Sequence, residues 1–218
     1  MVDTSPGGRI LIADDHPLLR EGLALAARAA VPGVAIDTAG TVGESLAALE
    51  RYGRYRLILL DFVLPDARGF SGFLQIQHIA SRIPIAVISA HETVVLVEGA
   101  MALGAAGFLY KSTPFDELAR DIRDLVNGKR CFPDIAAANG SAGLREQIAS
   151  LSGAQLRVLI ALSDGRLNKQ IAADLDVSEA TIKAHLTAIF RKLQVNNRAQ
   201  ALLAIQPLLG EVSGEKAR

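Results

Sequence analysis

The chain has 218 residues, 50% of them apolar and 21% charged, with equal numbers of basic and acidic side chains. That is enough apolar material for two compact cores, and the single cysteine, Cys131, excludes an internal disulfide and a cysteine-built zinc site. No apolar stretch approaches the roughly eighteen residues a membrane helix needs, and the start lacks a basic region followed by an apolar one, so a cytoplasmic protein without membrane association is expected. The zero net charge conceals an asymmetry: residues 1–148 hold 14 basic and 17 acidic side chains, whereas residues 149–218 hold 9 and 6. The last third is the basic part, where an anionic partner is to be sought.

Five short apolar runs punctuate the first 128 residues: RILIA (9–13), VAIDTA (34–39), RLILLD (56–61), IAVIS (85–89) and AGFLY (106–110). Amphipathic segments lie between and after them. The clearest is the last, where Phe115, Leu118, Ile122, Leu125 and Val126 recur at helical spacing behind Thr113 as N-cap and Pro114 at the first helical position. Strands alternating with helices predict an α/β fold, a doubly wound five-stranded parallel sheet with helices on both faces. In such a sheet the working site lies outside the carboxyl ends of the strands, near the point where strand order reverses.

Polar groups stand at those ends. The first run leads into Asp14 and Asp15, the third ends in Asp61 within LILLDFVLPD, the fourth ends in Ser89, and Lys111 follows the fifth. If the first and third strands are neighbours, three carboxylates converge on one crevice. Like charges in contact raise each other's pKa, and a hard divalent cation with oxygen ligands is the usual relief, so Asp14 and Asp15 read as a magnesium site. Taken singly, Asp15 before Pro17 also reads as a helix N-cap, and Phe108 as a core residue.

Together DDHP, DFVLPD with Gly69, Ser89 with Ala90, and GAAGFLYKS with Lys111 resemble the receiver domain of bacterial two-component response regulators, over about residues 8–127. The resemblance implies a flavodoxin-like fold and transfer of a phosphoryl group from a sensor histidine kinase to Asp61. It further implies Mg²⁺ bound by Asp15, Asp61 and the backbone carbonyl of Val63, with Asp14 acting largely through water. Ser89 and Lys111 would hold the phosphoryl oxygens, and Phe108 matches the aromatic that turns inward when the site is occupied. The chemistry agrees, because phosphoryl transfer needs little beyond positioning and neutralised charge around a carboxylate nucleophile.

The stretch NGKRCFPDIAAANGSAG, rich in Gly, Asn and Ala, reads as a linker, and residues 129–148 are assigned to it, between a receiver domain at 1–128 and a second domain at 149–218. The second domain opens with LSGAQLRVLIALSDG, in which Ser152 and Gln155 form a capping box before a helix that ends near Gly165. A short helix NKQIAADL follows, then a tight turn through Asp176 and Val177, then a longer helix behind Ser178 as N-cap. That is a helix-turn-helix. Wound at about 100° per residue, Ile182, Leu186, Ile189 and Leu193 form a buried stripe, and Lys183, Thr187, Ala180, Arg191 and Ala184 the opposite face. Small residues let a helix approach base edges in the major groove, while Lys and Arg reach bases or phosphates.

The segment LSGAQLRVL followed by LNKQIAADLDVSEATIKAHLTAIFRKLQVNNRAQAL resembles the LuxR-type DNA-binding domain over about residues 149–206. The resemblance places Lys183, Ala184 and Thr187 toward the groove and makes Lys169, Thr181, Arg191 and Lys192 phosphate contacts. The sequence departs from the pattern at Gln155, where Glu is usual, and at Leu167, where a small hydroxyl residue is usual. Both halves together resemble a NarL/FixJ-type response regulator, which implies promoter DNA as target and a homodimer as the active form. His16, His78, His91 and His185 are not at ligand spacing. The rival reading, an aspartyl-phosphate phosphatase, calls for an Asp two residues after the nucleophile, and that position is Val63. A transcription regulator rather than an enzyme is expected.

Overall fold

The computed structural model describes residues 8–134, 146–148 and 150–206. By their internal contacts the residues divide into two units, Met1–Glu92 with Gly104–Ile135 and Thr93–Leu103 with Ala136–Arg218. Most of the expected linker, residues 135–145, lies outside the described residues.

The first unit is built on five parallel strands, β1 (Arg9–Ala13), β2 (Ala35–Ala39), β3 (Leu57–Asp61), β4 (Ile85–Ser89) and β5 (Gly107–Tyr110), in the order β2-β1-β3-β4-β5. β3 and β4 are buried throughout, which is why they read as unbroken apolar runs. The edge strand β2 carries Asp37, whose Oδ2 pairs with Arg9 at 2.6 Å and accepts from the Tyr55 hydroxyl at 2.9 Å. A charge on an edge discourages further strands from adding there.

One face of the sheet presents Ile10, Ile12, Leu57, Leu59, Ala86, Ile88 and Leu109 to α1 (Pro17–Ala30) and α5 (Phe115–Val126). Ala24, Ala26, Ala27 and Ala30 of α1 leave room for Ala119, Ile122 and Leu125 of α5. Arg123 on α5 donates to the Ala30 carbonyl at 3.2 Å, satisfying an orphan acceptor at the end of α1. α2 (Val42–Tyr52) and α3 (Ser71–Ile79) complete this unit. α5 begins one residue later than the sequence suggests: Pro114 itself occupies the cap position with φ −57° and ψ 148°, and Thr113 closes a turn on the Tyr110 carbonyl.

The expected linker starts as part of the sheet. Cys131 bridges Gly107 in parallel, with Phe108 N–H donating to the Cys131 carbonyl at 2.8 Å and Cys131 N–H to that of Ala106 at 3.2 Å. Gly107 is required by that approach, since a Cβ there would lie 2.6 Å from the Cys131 oxygen.

The second unit contains α4 (Val94–Leu103), which groups by its contacts with the C-terminal helices α6 (Gly153–Ser163), α7 (Asn168–Asp174), α8 (Glu179–Leu193) and α9 (Arg198–Ala204). Ser152 and Gln155 form the expected capping box at α6. α7 and α8 are joined through Asp176 at φ 52°, a left-handed position that Asp tolerates better than most residues. Ser178 then caps α8 by accepting from Thr181 N–H at 3.1 Å. Leu156, Leu159, Ile171, Ile182, Ile189, Leu193 and Ala201 are buried between these helices, whereas Leu186 is only half-buried.

At the start of α7 the cap is half made. The Gln170 side chain accepts from Leu167 N–H at 2.8 Å, but the 65% exposed Leu167 side chain has no oxygen to return, and the Gln170 N–H closes on the Leu167 carbonyl at 2.9 Å instead. Leu167→Ser supplies that acceptor and removes an exposed apolar side chain, so urea unfolding followed by helical circular dichroism should show a gain of about 1 kcal/mol. Unchanged stability would mean that the serine does not close the box.

Candidate functional site

Because the strands are parallel and in register, their carboxyl ends form one rim. Asp14 follows β1 and is buried, its N–H donating to the Ala39 carbonyl at 3.0 Å. Asp61 is the last residue of β3 and Ser89 the last of β4, both buried. Lys111 follows β5, held by donation of its N–H to the Ser89 carbonyl at 2.8 Å. Its Nζ lies 2.7 Å from Asp61 Oδ2 and 2.8 Å from Asp14 Oδ2. One ammonium therefore bridges two carboxylates from neighbouring strands.

Backbone donors orient the rest. Val63 N–H donates to Asp61 Oδ1 at 3.2 Å, His91 N–H to Ser89 Oγ at 2.9 Å, and His16 N–H to Asp14 Oδ1 at 2.7 Å. The cap of α1 is His16, which uses no side-chain oxygen, so Asp15 does not fill the N-cap role open to it in the sequence. Asp15 is exposed and faces the His16 imidazole, with Nδ1 2.7 Å from its Oδ1. Phe108 is fully buried, edge-on to Tyr110 with centroids 5.8 Å apart.

Burial pushes the Asp61 carboxyl up to about 6; Lys111 opposes that rise, the Asp14 charge adds to it, and the Val63 N–H opposes it. Burial alone would lower the Lys111 ammonium, but its bonds and charge pairing with Asp14 and Asp61 outweigh it, so its pKa is raised. Lys111 Nζ pairs closely with Asp14 Oδ2, a buried oxygen with no further hydrogen-bond partner. Asp14, Asp15, His16 and Asp61 each offer a ligand atom, all within 4.8 Å of one another. Three carboxylates against one ammonium, in a mainly carboxylate donor set, fit a hard divalent cation such as Mg²⁺. The histidine was not anticipated as a member of this cluster, since one residue's spacing from Asp15 carries no ligand signature.

The second candidate site is the outer face of α8. Lys183, Ala184, Thr187, Arg191 and Ala180 are all exposed there, as is Lys169 on α7. Lys183 Nζ lies 3.5 Å from Glu179 Oε1, a weak exposed pair that costs little to break. The other two expected contacts are engaged inside the domain. Thr181 Oγ1 is 2.8 Å from Ser178 Oγ, and Lys192 Nζ donates to the Ser150 carbonyl at 2.5 Å and to Gln155 Oε1 at 2.8 Å. The Gln155 departure thus has a visible partner: a neutral amide, where a carboxylate is usual, meets an ammonium.

The structure thus presents a lysine-bridged carboxylate crevice at the strand ends and a helix-turn-helix, and comparison with known proteins gives the family. Residues 10–123 match the response regulator receiver domain, and residues 149–205 match the LuxR family of bacterial regulatory proteins. The glycerol metabolism activator of Pseudomonas putida is 36% identical, over 90% of this chain and 94% of the relative. The nitrate/nitrite response regulator NarL of Escherichia coli is 28% identical, over 88% of this chain and 92% of its own. In fold the chain is similar to RcsB of Salmonella enterica serovar Typhimurium bound to a promoter, with TM-score 0.57 and 20% identity over 91% of this chain and 98% of that one. The chain belongs to the response regulators that join a receiver to a LuxR-type helix-turn-helix. It is a DNA-binding two-component response regulator of the NarL type, a transcription regulator and not an enzyme. Among the described residues no helix is long and apolar enough to cross a membrane.

The Asp61 environment carries a pH signature. Its folded-state value of about 6 exceeds the ordinary 3.8, so the folded protein holds this proton more tightly than the unfolded chain does. Its contribution to stability is complete below pH 4 and is lost as pH rises through 6. Without divalent metal, Asp61→Asn should exceed the parent in stability at pH 7.5 by on the order of 1–3 kcal/mol and approach it near pH 4.5. Urea unfolding at both pH values checks this, and a constant difference would contradict it.

Proposed function

We propose that Asp61 accepts the phosphoryl group from the phosphohistidine of a sensor kinase, and that the outer face of α8 reads promoter DNA in a phosphorylation-dependent homodimer in the cytoplasm. The observation that carries this reading is the Lys111 ammonium bridging Asp61 and Asp14. An Asp61 carboxylate oxygen attacks phosphorus in line with the P–N bond; the P–O bond forms as P–N breaks, and the imidazole departs and is reprotonated from water. Lys111 exchanges a carboxylate for a phosphoryl oxygen, and the Ser89 hydroxyl donates to another. Mg²⁺ held by Asp15, Asp61 and the Val63 carbonyl, with Asp14 through water, would neutralise charge on the phosphoryl oxygens. Phe108 acts as the switch that couples the occupied site to the rest of the receiver.

Labelled acetyl phosphate with Mg²⁺ should phosphorylate the parent and leave Asp61→Asn unlabelled. Equal labelling of the two would refute Asp61 as acceptor.

On DNA, Lys183, Ala184 and Thr187 meet base edges while Lys169 and Arg191 meet phosphate. Thr181 and Lys192 have to exchange their internal bonds to make phosphate contacts. Lys183→Ala should cost about 1–3 kcal/mol and relax preference at one base pair, whereas Arg191→Ala should weaken all sequences alike and reduce the salt slope by about one unit. Salt-dependent binding to a selected duplex and its single-base variants separates the two, and identical profiles would contradict this division.

A further inference from the structure

β3 runs into the segment Asp61–Asp66, which is anchored at both ends. At the near end Phe62 N–H donates to the Ile88 carbonyl at 2.8 Å and Val63 N–H to Asp61 Oδ1 at 3.2 Å. At the far end Asp66 reaches a different element: Oδ1 accepts from Val42 N–H and Oδ2 from Gly43 N–H, each at 2.9 Å. Those are the first two amides of α2, donors with no partner inside the helix. The third, that of Glu44, is already taken by Thr41 Oγ1 at 3.0 Å, the helix's own cap.

The surrounding residues permit this reach. A Cβ at Gly72 would stand 3.0 Å from Val42 Cγ2 and 3.2 Å from Ala67 Cβ, so a glycine on α3 is what lets the start of α2 come near the segment. The start of α2 is also tied to β1, since the Ala39 carbonyl, two residues before Thr41, accepts from Asp14 N–H at 3.0 Å. A connected path therefore runs from Asp61 through Val63 and Asp66 to α2, and back through Ala39 to Asp14. It joins the two halves of the carboxylate cluster without using Lys111.

We propose that Asp66 is a positioning residue for the divalent-cation site. By clamping the Asp61–Asp66 segment to α2 it fixes the direction of the Val63 carbonyl and the spacing of Asp61 from Asp14. The inference rests on the reading of those groups as Mg²⁺ ligands. Its rival is that Asp66 merely caps α2, and Thr41 provides the control, because Thr41→Ala removes a cap from the same helix while leaving the clamp in place.

The test is Mg²⁺ titration of the full chain by calorimetry, with Mn²⁺ titration by electron paramagnetic resonance as a second probe and thermal unfolding to confirm that each variant is folded. Asp66→Ala should raise the Mg²⁺ dissociation constant by about tenfold, as loss of a group orienting a ligand does. Thr41→Ala should stay within about twofold of the parent, and Asp66→Asn, which keeps one acceptor oxygen, should recover part of the affinity. An Asp66→Ala protein that binds like the parent, or a Thr41→Ala protein weakened as much as Asp66→Ala, would overturn the proposal. A parent that binds neither metal would instead overturn the cation-site reading, and the proposal with it.

Discussion

Two carboxylates buried at the ends of neighbouring strands are tolerable only because one lysine reaches both. Burial opposes ionisation of Asp61, and the Lys111 ammonium, 2.7 Å from Asp61 and 2.8 Å from Asp14, supplies the opposite charge that permits two buried carboxylates. One positive charge against two negative ones leaves the crevice electrically incomplete, and exposed Asp15 adds a third carboxylate. The same imbalance gives the site its chemistry. In the proposed reading it would draw in a cation and let Lys111 leave its carboxylates for a phosphoryl group on Asp61.

The fold makes that arrangement possible from a distance. β1, β3 and β5 are separated along the chain by long crossovers, and parallel pairing in the order β2-β1-β3-β4-β5 brings their ends level. Glycine helps at Gly107, where the Cys131 carbonyl leaves no space for a side chain, and at Gly72, where a Cβ would press on Val42 Cγ2 at 3.0 Å.

In the DNA-binding half, burial and internal bonding sort the cations. Lys169, Lys183 and Arg191 present their charges outward, whereas Arg198 donates to the Leu162 and Arg166 carbonyls and Lys192 to Ser150 and Gln155. The positive charge of the domain is therefore divided between holding helices together and facing outward. Composition alone counts both kinds equally.

The sequence by itself determined what depends on neighbours a few residues apart. Strand periodicity, the Ser152–Gln155 box, the Ser178 cap and the placing of Asp14, Asp61, Ser89 and Lys111 at strand ends follow from local rules and recognisable motifs. Hydrogen bonds spanning 23 to 50 residues, such as Asp66 to Gly43 and Lys111 to Asp61, were decided by the tertiary structure. So were the engagement of Lys192 and the pairing of Cys131 with β5. Their partners are chosen by which elements pack together, and packing is a sum over the whole core that no short window of sequence contains.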